Sequence, residues 1–326
     1  MEIGSFIELD LRDSGEYFDC ESNMARLNSG RSGIYHSARL LGCSIVYLPY
    51  YLCPTVKAFL YKKGIEVRQY RIDENFSPEL KITEDNAAIL IVNFFGILSV
   101  NRIKEIASRY PKVIIDNCAG FFNRFLCEFY NVFSTRKFFG VPDGCYVLGP
   151  AADKGCSDYA QDNSSDTAAF LLKRIEQGSS KVYHERMLNE ERLDKTDITR
   201  MSVLTRKLLN SIDYGSIKDK RLRNFHCAHA LYGPYNLIDP LVFMDDDCVP
   251  MVYPLVFKDS GLVLRLKERN VYTGRWWLNV LDHVGKDSFE AFLSQYMVPM
   301  PIDQRYGPRE IEYCFKVFKD IYHYDG

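Results

Sequence analysis

The feature that most narrows the fold of this chain is the alternation, over its first two-thirds, of short apolar runs with amphipathic segments. Apolar runs of strand length separated by stretches of helical spacing give the rhythm of βαβ units. Strands are predicted at Ser44–Leu48, Glu66–Tyr70, Ala87–Val92, Val113–Asp116, Asn131–Ser134 and Gly144–Leu148. Helices fit between them at Arg31–Leu41, Pro54–Lys62 and Val100–Arg109, with Pro54 in the first turn, where its missing N–H is harmless. From about 164 to 229 the sequence becomes helical and highly charged, with i to i+4 pairing that suits solvated faces. The remainder mixes a strand at Met251–Phe257 with helices at Gly261–Arg269, Asp287–Gln295 and Pro308–Tyr322. The fold class is therefore α/β: a large, mostly parallel sheet flanked by helices in 1–195, then interdomain helices and a smaller C-terminal α/β domain in 196–326.

Composition limits the function. A length of 326 residues suits one large domain and one smaller one. A net charge of −2, with both signs interleaved, lacks the basic footprint that nucleic acid or an anionic membrane requires. The acidic, glycine-broken N-terminus differs from a secretory signal, and no apolar run approaches the roughly 18 residues of a membrane span. A cytoplasmic protein acting on small molecules is expected. The 10 cysteines are scattered without a C-x-x-C pair, so free, mostly buried thiols are expected rather than a disulfide or zinc framework. The acidic triplet Asp245–Asp247 reads as a solvated loop, and no metal site is expected.

Three features fall in order where strands end or helices begin, the edge at which open α/β sheets bind ligands. Ser29-Gly30-Arg31-Ser32-Gly33 precedes a helix; its free N–H groups and hydroxyls suit a phosphate, although Ser-Gly is also ordinary capping. The strand KVIID ends in Asp116, whose carboxylate can hold a protonated ring nitrogen or simply form a turn. Phe133-Ser134-Thr135-Arg136-Lys137-Phe138-Phe139 sets a lysine among aromatics. There its amine can be tuned for a Schiff base, unless the side chain merely snorkels to water.

Together these residues resemble the DegT/DnrJ-type sugar aminotransferases, a family of the aspartate-aminotransferase superfamily that uses pyridoxal 5'-phosphate (PLP). The resemblance implies PLP-transferase fold type I. It implies that Ser29, Gly30 and Arg31 bind the cofactor phosphate, that Tyr50 or, by preference, Tyr51 in LPYYLCPT stacks on its ring and that Asp116 in IIDNCAG pairs with the ring nitrogen. Ser134 then adds a phosphate ligand, Lys137 is the Schiff-base lysine that also moves the proton, and Asn93 in NFFG approaches the phenolic oxygen. Arg275 in GRWWL is a candidate for a substrate carboxylate, with an interface or packing role as the alternative. The closing VPMPIDQRYGPREIEY is similar to the family's last strand and helix. The family implies a homodimer, a small-molecule amino donor and a carbonyl acceptor, commonly a nucleotide-linked keto sugar.

The chain departs from the family in being somewhat shorter and in its turn after the lysine, Val141-Pro142-Asp143-Gly144-Cys145 instead of a glycine-rich one. That departure motivates the alternative of a PLP-binding chain without transaminase turnover. A different PLP reaction is the third option. His226 and His229 in NFHCAHAL have the spacing of half a metal site but lack a second half, and read as helix histidines.

Overall fold

A computed structural model of the protein describes residues 3–18 and 23–324. The first unit runs β1 (Met24–Leu27), α1 (Gly30–Leu40), β2 (Ile45–Pro49), α2 (Pro54–Lys62), β3 (Glu66–Ile72), β4 (Pro78–Glu79), β5 (Ala87–Val92), α3 (Val100–Ala107), β6 (Val113–Asp116), β7 (Tyr130–Ser134) and β8 (Cys145–Leu148). These strands form one sheet of 8, in the order β1-β8-β7-β6-β5-β2-β3-β4. The centre is parallel from β7 to β3, whereas β8, β1 and β4 join through antiparallel pairings.

Every predicted strand of this region is present. The sequence reading lacked β1 and β4, both at sheet edges. In β1, Arg26 interrupts the apolar signal and is satisfied by an ion pair with Glu16 at 2.5 Å. The central β5 is buried along its whole length, which explains its unbroken AAILIV. Helix α1 lies close to the sheet: a Cβ on Gly33 would stand 2.9 Å from both Cys145 and Val132.

The charged middle of the chain forms α4 (Ala169–Gln177), α5 (Tyr183–Lys195), α6 (Val203–Asn210) and α7 (Tyr214–Tyr232). Beyond it come β9 (Tyr253–Val256), α8 (Leu262–Glu268), α9 (Phe289–Tyr296), β10 (Met297–Met300) and α10 (Pro308–Tyr324). Strands β9 and β10 pair antiparallel. Side chains from α7, both of these strands and α10 share a core around Phe225, Tyr253, Val298 and Phe318.

The nine described cysteines are free; four are buried, and Cys20 lies outside the described residues. No helix among the described residues is long and apolar enough to cross a membrane.

Candidate active site

The carboxyl ends of β2, β5, β6 and β7 open onto a cavity of about 730 Å³, closed from the other side by α4, α5, Trp276, Trp277 and the 303–305 loop. This is the position at which chain order reverses across the sheet, since β3 lies on one side of β2 and β5 on the other. Ser29, Gly30, Arg31, Asn93, Asp116, Ser134 and Lys137 all line it. Tyr51 and Arg275 do not.

Ser29 is the N-cap of α1, with its Oγ accepting from the Ser32 N–H at 3.4 Å and lying 2.9 Å from the Ser32 hydroxyl. The remaining first-turn N–H groups mark the positive end of the helix. Gly30 permits this approach, because a Cβ there would meet Cys118 Sγ at 2.9 Å. Arg31 is held at 2.5 Å by Asp194 from α5.

Asp116 is the last residue of β6 and is 7% exposed. Its Oδ1 accepts from the Cys118 N–H at 2.9 Å, and the Cys118 thiol also hydrogen-bonds to its carboxylate. Lys137 is exposed, and none of the described residues forms an ion pair with it. Its neighbour Arg136 pairs with Glu190 of α5. Cys118 reports how Asp116 and Lys137 close on one place: burial first and the Asp116 carboxylate second push the thiol up, while the Lys137 ammonium pulls it down.

Local bonding explains why Lys137 stands free. Phe138 and Phe139 both donate their N–H to the Thr135 carbonyl, and both rings are buried, Phe139 4.7 Å from Phe121. The altered turn that follows is firmly built. Asp143 is fully buried and accepts from Ser202 N–H at 2.8 Å, from Ser202 Oγ at 2.7 Å and from the Thr205 hydroxyl.

Three expectations about side chains meet a different arrangement. Tyr51 packs into the core beneath the cavity, 4.6 Å from the Trp277 ring, its hydroxyl without a partner among the described residues and its phenol pushed up by burial. Leu52 and Cys53 form the wall there, and the aromatic faces come from Phe94, Phe95, Trp276 and Trp277. Asn93 lines the cavity, but its amide donates to Asn117 Oδ1 at 3.0 Å and accepts from Leu98 N–H at 2.9 Å, so it braces the loop after β5. Arg275 spends its guanidinium on the carbonyls of Asp259 at 2.6 Å and Met297 at 3.4 Å, away from the cavity. His229 faces the Tyr253 hydroxyl at 3.4 Å, and among the described residues no metal-ligand cluster forms.

The sequence reading missed the far wall. Arg174 of α4, Arg186 of α5 and Arg305 converge there; burial first, then the Arg305 and Arg186 guanidinium groups, lower Arg174 below the usual arginine range. The lining carries seven Lys/Arg side chains and four carboxylates, an excess of three positive charges in a chain of net charge −2. Only the charged character of the helices was legible, because residues 174, 186 and 305 are brought together by α4, α5 and a distant loop.

The architecture superposes on solved structures over 91% of this chain. An aminotransferase of the DegT DnrJ EryC1 StrS type from Brucella abortus is 14% identical, with 85% of that chain covered and a TM-score of 0.59. A sugar aminotransferase from Micromonospora echinospora is 14% identical, with 87% covered and a TM-score of 0.63. The fold is PLP-transferase fold type I. The ntda protein of Bacillus subtilis, solved with its cofactor PMP, shares fold type I with this chain at 16% identity, with 73% of that chain covered and a TM-score of 0.63. By sequence the chain matches no protein-family model and no curated protein.

Proposed function

We propose that this protein is a PLP-dependent aminotransferase that passes an amino group from a small amino donor to the carbonyl of a keto sugar carried on a nucleotide. The observation that carries the reading is the meeting of Lys137, Asp116 and the α1 N-terminus around one cavity. A helix start with Ser134 beside it suits a phosphate dianion, and the buried Asp116 carboxylate at the cavity wall suits a ring N–H, so the residues present fit the cofactor. When bound, PLP supplies an electron-accepting ring conjugated to an aldehyde carbon.

The chain's own residues divide the remaining work. The α1 N–H groups with Ser29, Gly30 and Ser134 bind the phosphate and fix the ring's position. Asp116, oriented by the Cys118 N–H, stabilises positive charge at the ring nitrogen through a charge-assisted bond of about 1.5–3 kcal/mol. Lys137 is the amine that would hold the cofactor's aldehyde end, and the same amine, once free, would be the group placed to move a proton at the donor carbon. Stacking falls to Phe94, Phe95 or the tryptophans rather than to Tyr51. Arg174, Arg186 and Arg305 favour an anionic acceptor such as a sugar phosphate or diphosphate. The names of the structural neighbours, sugar aminotransferases among them, support the same reaction class. A cytoplasmic homodimer belongs to this reading, and exposed Leu172, Ile175, Met187 and Leu188 on α4 and α5 suit a partner surface.

Purified protein mixed with PLP is expected to absorb visible light and to yield a borohydride-trapped adduct on Lys137, both lost in Lys137→Ala. Failure of the wild-type chain to form that adduct overturns the proposal. Conversion of the bound cofactor by glutamate to its amine form separates turnover from mere binding.

A further inference from the structure

Lys137 is exposed and forms no ion pair among the described residues, so its direction depends on how the residues that follow it are held. Two residues on, the Phe139 ring is fixed inside the aromatic core of the first unit. Between them, Phe138 is gripped from the C-terminal part of the chain. Gln304 Nε2 donates to the Phe138 carbonyl at 2.6 Å, and the Arg221 guanidinium lies 4.4 Å from the centre of the Phe138 ring.

Arg221 is 1% exposed, which for a cation demands compensation on every side. It finds it in Gln304 Oε1 at 2.9 Å, the Met251 carbonyl at 3.1 Å and the π face of Phe138. Burial lowers it to about 10, which leaves it cationic at neutral pH. One helix organises both members of the pair, because Asn224, one turn beyond Arg221 on α7, donates to the carbonyls of Ile302, Asp303 and Tyr306 and so fixes the loop that carries Gln304. With Nε and Nη1 already committed inside the protein, Arg221 is built to hold a neighbour in place.

We propose that Arg221 and Gln304 are a positioning pair that, by clamping Phe138, aims Lys137 into the cavity and ties that aim to the placement of the C-terminal part of the chain. The inference rests on the reading of Lys137 as the cofactor lysine and adds residues to which no role had been assigned.

Gln304→Glu is the informative variant. It keeps an acceptor for Arg221, and adds a charge to it, but removes the donor to Phe138. A positioning pair is expected to show faster amide exchange over 135–139 in the cofactor-free chain. It is also expected to shift the midpoint of the pH titration of the Lys137–PLP absorbance by about one unit, the equivalent of one ordinary hydrogen bond. Arg221→Lys, which keeps the charge and loses the planar stack, is expected to shift both readouts in the same direction, with wild-type far-UV dichroism in each variant. Wild-type exchange and an unmoved titration in Gln304→Glu overturn the proposal, as does faster exchange with an unmoved titration. Absence of any adduct in the wild-type chain instead defeats the proposed function. Exchange over 135–139 then still decides whether the pair restrains Phe138.

Discussion

Replacing Asp143 by alanine removes the acceptor on which the turn after Lys137 is built. The carboxylate is fully buried and takes bonds from the Ser202 N–H and from the hydroxyls of Ser202 and Thr205. The hydroxyls can rotate toward other oxygens, whereas the Ser202 N–H cannot, and a buried donor left unmet costs about 1–3 kcal/mol. Adding partial loss of the two hydroxyl bonds gives an expected destabilisation of about 3 kcal/mol. Unfolding entropy of about 2.1 cal/mol/K per residue over the 326 residues is about 0.7 kcal/mol/K, so the melting temperature should fall by about 4 °C. Asp143→Asn retains one oxygen for the Ser202 N–H and should lose about half as much. Thermal unfolding followed by far-UV dichroism measures both. A shift under about 1 °C for the alanine variant, or a larger loss for asparagine than for alanine, would refute the account of the turn.

Two further outcomes probe other parts of the molecule. Arg174→Ala should raise the KM for a phosphorylated carbonyl acceptor about tenfold, the equivalent of one charge-assisted bond, and leave an uncharged acceptor unaffected; steady-state kinetics at two salt concentrations checks this. His36 is fully buried, with its ring nitrogens 2.9 Å from the Tyr159 hydroxyl and 2.8 Å from the Ala152 carbonyl, and burial lowers its imidazole below the ordinary value. The unfolded chain therefore binds a proton that the folded chain refuses, and stability should fall as pH drops below about 6.5, until the lowered folded value is passed. Melting curves between about pH 7.5 and about pH 5.5 should show a shallower decline in His36→Gln; an equal decline would exclude His36 as a source.

The parallel sheet was readable because its signal is local. A run such as AAILIV can bury both faces only inside a sheet, and helical spacing between such runs leaves few topologies. That same pattern placed Asp116 and Ser134 at strand ends and Ser29 at a helix start, so the sheet edge on which they meet followed from their order. Lys137 was singled out by the resemblance of its Ser-x-x-Lys run, because the local pattern alone suits a snorkelling lysine equally well.

Local pattern loses its hold past the end of a strand. After Pro49 the backbone leaves strict alternation, with the Leu52 N–H turning back to the Tyr50 carbonyl, and whether residue 50, 51, 52 or 53 faces the cavity depends on what packs beneath. Trp277, 226 positions after Tyr51, draws the tyrosine into the core and leaves Cys53 at the wall. Arg275 was equally undecidable, because the carbonyls that claim it belong to residues 259 and 297. Sequence alone thus determined the sheet, its functional edge and the residues that reach it by virtue of ending a strand or starting a helix. The tertiary structure alone decided which side chains face inward from the loops, which arginines gather opposite Lys137, and that Arg221 and Gln304 hold Phe138, because those facts depend on contacts between segments far apart in the chain.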